Sequence, residues 1–507
     1  MSIKDNYYIN TFFWSTLQKV LSALIGFVSV PLLLGYYGKA EYGVLGIATA
    51  CNGYMHLLDL GMDTGAVRFY SQWRKEGKDN LINKVARTNI SFYGIIALIN
   101  MAGLFALACW GERFFSVTHE QFLLLKTCLI IIALFSIISW GTTTFNQLLI
   151  SDLQMVFTLQ VQCVIALLKA VLISMVFYLQ LSLEHYFLFL TGIVALLIFP
   201  YAYKCKKLGL IDKLRPAFYW KEFNVVIMFS LSIFTLSLFQ ATATQTRPII
   251  LSIFANDGAG AVAEFRIIEV IPQLIIMIGG TFSGIFLPKT SSMVVDGNQR
   301  EIEKFAYRWT VFTTIIINVL TIPFIICSQE ILSAYVGRQY DYLSIWLCIW
   351  CFTVLIQMHT TPGNALVLAY GKTRLLVITT SVACLSSMVL NAYLAPLYGV
   401  GAAVISYFLY VLVVIGLYYI GYYKKLLSLS RRKMFLSFLK PTLLSFIVMM
   451  CVLYIPIDVT DFDFSNVRSA YVTIFVIKSL LWLIPYAALL IIFRVLNINE
   501  FRISYIK

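Results

Sequence analysis

The sequence predicts an all-α integral membrane protein of about 14 transmembrane helices, with two parallel six-helix lobes around a central cavity and two extra C-terminal helices. Hydrophobic residues make up 60% of the 507 residues and charged residues only 12%, a composition that excludes a soluble domain. The apolar stretches run to roughly 18–28 residues, enough to cross about 30 Å of hydrocarbon as helices. Weak internal repeats then divide the chain into two halves.

The spans follow one another with short connections. The first apolar stretch is too long for a cleavable signal peptide and shows no small-residue cleavage site, so we interpret it as the first span. We predict spans at residues 9–34, 43–67, 88–110, 122–148, 156–180, 186–203, 223–254, 262–288, 307–327, 343–368, 375–394, 399–422, 441–456 and 469–493.

Positive charge is distributed unevenly between the predicted loops. The net charge is +14, and the basic runs KCKKLGLIDKLR and KKLLSLSRRK fall in loops on one side of the membrane. The positive-inside rule therefore predicts that both termini are cytoplasmic. Proximity to anionic lipid headgroups explains these basic runs, so we expect no nucleic-acid partner.

The connections exclude several classes of enzyme. The longest connection between spans is about twenty residues, so there is no room for a catalytic domain outside the membrane, and the chain has no P-loop and no nucleophile-elbow motif. We therefore expect no enzymatic activity, and an ATP-driven pump would need a second subunit. The CIWC motif of Cys348 and Cys351 lies in a predicted helix without a nearby His, so we interpret both residues as packing residues and expect no metal site.

Internal repetition defines the predicted lobes. The segment PLLLGYYGKAEYG from Pro31 aligns with PIILSIFANDGAG from Pro248 at an offset of 217, and Asn146 aligns with Asn364 at 218. An offset of six spans keeps the orientation, so a pseudo-two-fold axis along the membrane normal should relate the lobes. The predicted domains are an N-terminal lobe at 1–222 (spans 1–6), a C-terminal lobe at 223–440 (spans 7–12), and two additional spans with a cytoplasmic tail at 441–507.

Polar stripes indicate which helices line the cleft between the lobes. In span two, Thr49, Asn52, His56, Asp59 and Asp63 follow spacings of 3, 4, 3 and 4, which places all five on one face of a continuous helix. Such stripes can also hydrogen-bond neighbouring helices without lining a cavity, and this alternative stays open for the uncharged residues. The predicted polar lining consists of Gln18, Asn52, Asn146, Gln240, Gln273, Gln357 and Asn364.

Charged residues inside the spans need a functional or pairing explanation, because each costs roughly 2.5–3.5 kcal/mol at a helix centre. Lys19 and Asp59 both lie about 13–15 Å from the inner ends of their spans, so we predict that they pair. Lys169 falls near the middle of span five. A second charged cluster should form near the outer surface from Arg247, Glu264, Arg266 and Glu269.

Two further charges are assigned to the periphery. Arg68 points away from Asp59 and Asp63 on a continuous helix, so it should mark the cytoplasmic mouth and form no ion pair within span two unless Gly61 or Gly65 breaks the helix. Lys478 lies in span fourteen, outside the repeat, and we expect a peripheral or lipid-headgroup contact.

Buried cations at the inner, middle and outer levels of a cleft suit an anion that is carried stepwise across the membrane, since Arg and Lys form charge-assisted hydrogen bonds with phosphate. The carboxylates and His56 would hold these cations in place, carry a coupling H⁺ or Na⁺, or both. The sequence leaves this choice open.

The N-terminal segments VPLLLGYYGKAEYG and LLDLGMDTGAVRFYSQ resemble those of the Wzx-type O-antigen flippases of bacterial surface-polysaccharide synthesis. These oligosaccharide-lipid flippases belong to the multidrug/oligosaccharidyl-lipid/polysaccharide (MOP) exporter superfamily, with the MATE multidrug extruders and the lipid II flippase. The resemblance extends along the chain through GNALVLAYGKTR and APLYGVGAA.

The resemblance implies ion-coupled, alternating-access flipping of undecaprenyl-pyrophosphate-linked oligosaccharide repeat units, of O-antigen or another surface polysaccharide, across the bacterial inner membrane. It implies no catalytic residue, and no cofactor except a coupling ion, H⁺ or Na⁺. The substrate-binding residues of the cationic cavity would be Lys19, Lys169, Arg247 and Arg266. The coupling or gating residues would be His56, Asp59, Asp63, Glu264 and Glu269.

The implied partners are the lipid-linked oligosaccharide, membrane lipids, a polysaccharide polymerase and a chain-length regulator. Two other functions remain as alternatives. A MATE-like, cation-coupled drug or small-molecule exporter would favour an acidic pocket, whereas the buried charges here include several bases. A membrane-embedded polymerase or glycosyltransferase would need a large external loop or an acidic metal site, which the sequence lacks.

Overall fold

The computed structural model describes residues 3–211, 215–372, 374–457 and 467–495. Over these ranges the regular structure is helical throughout, and the predicted all-α membrane fold is confirmed. Eleven helices of this part of the chain are long and apolar enough to cross a membrane. The first of them, Phe13–Asp59, covers two predicted spans. Two further long helices stand at the seventh and eighth predicted spans, 223–254 and 262–288.

Seventeen α-helices make up the described chain. In order they are α1 (Ile3–Met55), α2 (Met62–Lys75), α3 (Asp79–Trp110), α4 (His119–Ser151), α5 (Met155–Leu179), α6 (Leu183–Ala195), α7 (Ile198–Lys207), α8 (Trp220–Phe254), α9 (Gly258–Asp296), α10 (Gln299–Ile326), α11 (Ser328–Tyr335), α12 (Ser344–Met358), α13 (Thr361–Ala369), α14 (Arg374–Tyr398), α15 (Val400–Leu417), α16 (Arg431–Leu453) and α17 (Val467–Ile492).

Packing divides the chain into two compact units. The first comprises residues 1–264 and 392–399, and the second comprises residues 265–391 and 400–507. These units reflect density of packing, whereas the predicted lobes rest on sequence repetition, so the lobe boundaries at 222 and 440 stay a prediction.

The first unit has an aromatic core where α2, α3, α4, α7 and α8 pack together. Tyr70, Tyr93 and Phe223 are fully buried there, and the Tyr93 ring stacks on Trp140 with a centroid separation of 5.6 Å. Close packing of such large rings supplies many van der Waals contacts, which favour helix association in a membrane. This core holds the inner faces of α3 and α4 in fixed positions.

The second unit has its own aromatic core around the end of α15. Tyr418, Tyr422 and Tyr423 are buried there with Phe286 and Phe305. The Phe286 and Phe305 rings meet edge to face at 5.5 Å, an arrangement that aromatic quadrupoles favour. The core fixes the start of α10 against the end of α15.

Span two is not the continuous helix that the polar spacing predicts. α1 ends at Met55, a 3-10 turn covers His56–Asp59, and α2 begins at Met62. Between them Leu60 has a φ of 54° and Gly61 a φ of 74°, in the left-handed region that ends an α-helix. The five polar residues from Thr49 to Asp63 therefore do not share one helical face. Asp59 and Asp63 contact α3 and α4 instead.

Gly61 and Gly65 let α2 approach α8 closely. A Cβ atom at Gly61 would lie 2.6 Å from the Ser230 carbonyl oxygen, and one at Gly65 would lie 1.9 Å from Ser230 Oγ. Neither distance is compatible with a side chain. The two glycines thus allow both the break in span two and the close packing that holds it.

Candidate functional site

A single lysine stands between two neighbouring cavities in the first unit. The first cavity has a volume of about 160 Å³ and the second about 390 Å³. Lys169 of α5 lines both of them, together with Leu190 and Val194 of α6. Among the residues that the structure describes, none forms an ion pair with Lys169. Its ammonium group therefore supplies a positive charge that protein acids do not neutralise.

The first cavity is lined by polar groups opposite Lys169. Thr49 and Asn52 line it from the C-terminal half of α1, and His56 lines it from the turn that follows. From α3 and α4 come Asn100 and Ser136, whose side chains are joined by a hydrogen bond from Asn100 Nδ2 to Ser136 Oγ of 3.0 Å. Hydroxyl and amide groups around one cation suit a polar anionic ligand better than an apolar one.

Polar side chains also line the second cavity, which shares Lys169 with the first. Gln162 lies two helical turns before Lys169 on α5, and Gln18 and Ser22 of α1 face the same space. Gln18 Nε2 donates to Ser22 Oγ at 3.1 Å. The side chain of Lys19 is exposed and lines neither cavity, so the structure does not place this predicted substrate contact with Lys169.

The two acids of span two belong to one hydrogen-bond network. Tyr93 Oη donates to Asp59 Oδ1 at 2.5 Å. Gln147 Nε2 donates to Tyr93 Oη at 2.8 Å and to Asp63 Oδ1 at 3.1 Å. The Asp63 backbone N–H donates to Asp59 Oδ2 at 3.1 Å, and Asn89 Nδ2 donates to Gln147 Oε1 at 2.7 Å.

This network, which we call the acid network, consists of Asp59, Asp63, Tyr93, Gln147 and Asn89. The three neutral members are buried. The carboxylates of Asp59 and Asp63 belong to one hydrogen-bond network, and two such carboxylates repel each other when both are ionised. A proton or a small cation would relieve that repulsion. The break at Leu60 and Gly61 creates the arrangement, because it places Asp59 beside Tyr93 and Asp63 beside Gln147, two side chains that are themselves hydrogen-bonded.

The structure does not form the predicted pair between Lys19 and Asp59. The Asp59 carboxylate accepts from Tyr93 and from the Asp63 backbone instead. The two residues lie at the same distance from the inner ends of their spans, but this distance does not fix the direction in which either side chain points. The broken helix turns Asp59 toward α3.

Sequence reasoning missed Tyr93, Gln147 and Asn89. A signal was present, since Asn89, Tyr93 and Asn100 fall at spacings of 4 and 7 in span three, and these spacings place them along one helical face. Gln147 directly follows Asn146, which the sequence did single out. A tyrosine in an apolar span carries little polar signal, and this explains why the stripe was not recognised.

Arg68 and His56 both contact aromatic rings. The Arg68 guanidinium lies over Phe229 of α8 at 4.1 Å from the ring centroid, and the His56 ring lies 5.3 Å from Trp140. As predicted, Arg68 pairs with neither Asp59 nor Asp63 in the described chain, although Gly61 does break the helix. A cation–π contact replaces the ion pair.

Two ion pairs involve residues of the predicted outer cluster. Glu264 accepts from Lys39 Nζ at 2.6 Å in the first unit. In the second unit Arg266 Nη1 donates to Glu269 Oε2 at 2.8 Å, and Gln273 Nε2 donates to Glu269 Oε1 at 3.3 Å. The single cluster of all four residues stays a prediction.

Arg247 of α8 is buried, with 3% of its surface exposed. Its Nε donates to the Ala243 carbonyl oxygen at 2.9 Å within the same helix. The side chain of Gln240, a predicted lining residue one turn earlier, lies outside the described part of the structure.

Other predicted lining residues serve helix packing. In the second unit, Tyr407 donates to Gln357 Oε1 at 2.6 Å and Tyr418 donates to Asn364 Oδ1 at 2.8 Å. These contacts agree with the alternative in which polar stripes join helices. In the first unit, Asn146 Oδ1 is buried and accepts no hydrogen bond from the described residues.

Lys478 is not peripheral. Its Nζ lies 2.5 Å from Glu330 Oε1, and the two side chains are only 13% and 18% exposed. The expectation of a lipid-headgroup contact was wrong because α11, a short helix absent from the span prediction, packs against α17 and supplies the acid. Arg338 Nε donates to Tyr471 Oη in the same region.

We expect Glu330→Gln to destabilise the protein by about 3 kcal/mol, because it leaves the Lys478 ammonium buried without its counter-charge. The double variant E330Q/K478M should recover most of this loss. The free energy of unfolding of the full chain in detergent, measured by denaturant titration, tests the prediction. Lys440→Gln removes an exposed cation of the same unit and serves as the control. Equal stability of E330Q and the control would contradict it.

Two solved structures share this fold closely. The lipid II flippase MurJ, in an inward closed conformation, has a TM-score of 0.68 and 14% identity, and the match covers 95% of this chain and 99% of that chain. An inward-facing multidrug resistance transporter of the MATE family has a TM-score of 0.65 and 13% identity, with coverage of 78% and 92%. A third structure, of the MATE multidrug transporter DinF-BH, has a TM-score of 0.55 and 16% identity, and the match covers 85% of this chain and 98% of that chain.

The membrane-spanning helices and this shared fold define a multi-pass, all-α membrane protein. No curated protein sequence matches the chain significantly. The profile of the family described as polysaccharide biosynthesis protein matches residues 9–294. The chain belongs to this family, which is part of the MOP exporter superfamily.

Proposed function

We propose that the protein is a flippase that moves undecaprenyl-pyrophosphate-linked oligosaccharide repeat units of a surface polysaccharide across the bacterial inner membrane by ion-coupled alternating access. Both termini would be cytoplasmic. Membership of the polysaccharide biosynthesis family supports a role on this route, and the fold shared with a lipid II flippase supports a lipid-linked substrate.

The unpaired Lys169 between two polar cavities is the observation that carries the proposal. A pyrophosphate group could accept charge-assisted hydrogen bonds from its ammonium, while Asn52, Asn100 and Gln162 offer amide groups on either side. The apolar polyprenyl chain could remain in lipid while the sugar and pyrophosphate pass through the polar space. Lys169 thus acts as a binding residue.

The acid network is the proposed site of ion coupling. Tyr93 donates to Asp59 and Gln147 donates to Asp63, and His56, three residues before Asp59, lines the first cavity. Binding of H⁺ or Na⁺ would remove the repulsion between the carboxylates and change the position of the turn between α1 and α2. Coupling then requires that the state with the ion bound and the state without it differ in affinity for the substrate.

The direct test is the location of the lipid-linked oligosaccharide in cells. In a strain from which the gene has been removed, repeat units should accumulate on the inner leaflet, and the surface polysaccharide should disappear. Expression of the full chain should restore it. Normal surface polysaccharide in the deletion strain, with no trapped repeat units, would refute the proposal.

A MATE-like exporter of drugs or other small molecules is the second candidate, since the shared fold includes a MATE transporter. It predicts that deletion lowers resistance to cationic drugs without a change in surface polysaccharide. The unneutralised cation at Lys169 favours an anionic substrate instead, because a cationic drug would be repelled there.

A further inference from the structure

The second unit contains a basic cavity at the junction of α9 and α10, separate from the cavities around Lys169. Its volume is about 350 Å³, and its lining includes Lys289 of α9 with Lys304 and Arg308 of α10. Glu301 is the acid of this lining. Among the lining residues that the structure describes, three cations and one carboxylate give a net positive charge.

The cations of this lining lie close together on two neighbouring helices. Lys304 and Arg308 are four residues apart on one helix, where like charges repel. Lys289 and Lys304 are exposed, and neither forms an ion pair with a residue in the described chain. An anion in the cavity would relieve this repulsion and contact both helices.

The cavity lies at the level of lipid headgroups. Trp309, also in its lining, packs on Phe286 with a centroid separation of 4.9 Å, and tryptophans are enriched at membrane interfaces. Hydrophobic sequence follows Trp309 along α10, whereas charged residues precede it. The basic side chains therefore stand where α10 enters the membrane, within reach of a headgroup whose tail stays in lipid.

The segment is also fixed in position. Tyr307 Oη accepts a hydrogen bond from the Ser430 N–H at 2.9 Å, which ties the start of α10 to the start of α16. Phe305 packs edge to face on Phe286. A fixed arrangement of cations loses less entropy on binding than a mobile one.

We propose that this basic cavity is a loading site for the diphosphate group of a polyprenyl-linked substrate, on the side of the membrane where α9 ends and α10 begins. The inference rests on the proposed flippase function. A diphosphate ester carries more than one negative charge at neutral pH, whereas phosphatidylglycerol carries a single one, so three cations favour the diphosphate. A volume more than ten times the roughly 30 Å³ of a water molecule admits a headgroup rather than a single ion.

The test measures lipid binding to the full-length protein in phosphatidylcholine nanodiscs by native mass spectrometry. The probes are geranylgeranyl diphosphate, geranylgeranyl monophosphate and phosphatidylglycerol. We expect the diphosphate to bind most tightly, and K289Q/K304Q to weaken its binding about tenfold. Both residues are exposed, so this variant should fold normally.

The matched control is K424Q/K425Q, which removes two exposed lysines of the same unit that lie outside the cavity lining. Its diphosphate affinity should stay close to that of the wild type. Equal losses in both variants would show a general charge effect and refute the site. Equal binding of phosphatidylglycerol, lost to the same extent in K289Q/K304Q, would assign the cavity to bulk anionic lipid and also overturn the proposal.

A transport assay separates this inference from the proposed function. If K289Q/K304Q binds the diphosphate normally and the wild-type protein still exports repeat units, the loading site is wrong and the flippase stands. If the wild-type protein exports no lipid-linked oligosaccharide, the flippase is wrong whatever the cavity binds.

Discussion

Replacing Lys169 with Gln should slow export of lipid-linked repeat units by about 10–100-fold, the factor expected when one or two charge-assisted hydrogen bonds to a phosphoryl group are lost. Gln is polar and only slightly shorter than Lys, so the two cavities should keep nearly the same shapes. The effect should therefore arise from the missing charge. Export is measured by complementation of a deletion strain, with surface polysaccharide as the readout and membrane abundance of the variant determined in parallel.

Two further variants make the Lys169 result interpretable. Lys126→Gln removes an exposed cation of α4 in the same unit and should leave export within about twofold of the wild type, as surface substitutions generally do. Lys169→Arg keeps the charge and should retain part of the activity. Full export by Lys169→Gln at normal abundance would eliminate the proposed binding role.

Replacing Asp59 with Asn should uncouple transport from the ion gradient. An amide has no charge for H⁺ or Na⁺ to neutralise, so the repulsion with Asp63 that drives ion binding disappears. In proteoliposomes, the rate increase caused by an imposed ion gradient should fall by about 5–150-fold, the range of a typical coupling free energy. Residual flipping down the substrate gradient should remain.

Two further variants serve as comparisons for Asp59→Asn, one inside the acid network and one outside it. Tyr93→Phe removes the donor to Asp59 but keeps both carboxylates, so it should weaken the response to the gradient less than Asp59→Asn does. Asp79→Asn changes an exposed acid at the start of α3, outside the network, and should leave the response unaltered. A full response in Asp59→Asn would exclude this carboxylate from coupling.

Much of the fold could be predicted because hydrophobic length is a strong signal in a membrane protein. The helices α3 to α10 stand where apolar stretches indicate spans. The short helix α11 was missed, since eight residues carry no span-length signal. That omission also produced the wrong environment for Lys478, whose partner Glu330 lies on α11.

The site could be predicted only in part, because spacing reports a helical face only while the helix continues. Thr49, Asn52 and His56 do line one cavity, but Asp59 and Asp63 lie on either side of the break and accept hydrogen bonds from residues of α3 and α4. A single Gly61 in a span is weak evidence for a break, since membrane helices tolerate glycine. Partners from distant spans, such as Gln147, depend on helix packing that periodicity does not describe.

The break at Gly61 has a counterpart at the other end of the same segment. Gly38, with φ of 79° and ψ of 173°, interrupts α1, so residues 39–55 form a straight rod of about 26 Å between two joints. Rotation about the backbone of Gly38 and Leu60–Gly61 can tilt this rod without breaking an intrahelical hydrogen bond. The rod carries Asn52 at the cavity and ends at Met55, one short turn before Asp59, so tilting would move the substrate-facing and ion-facing groups together.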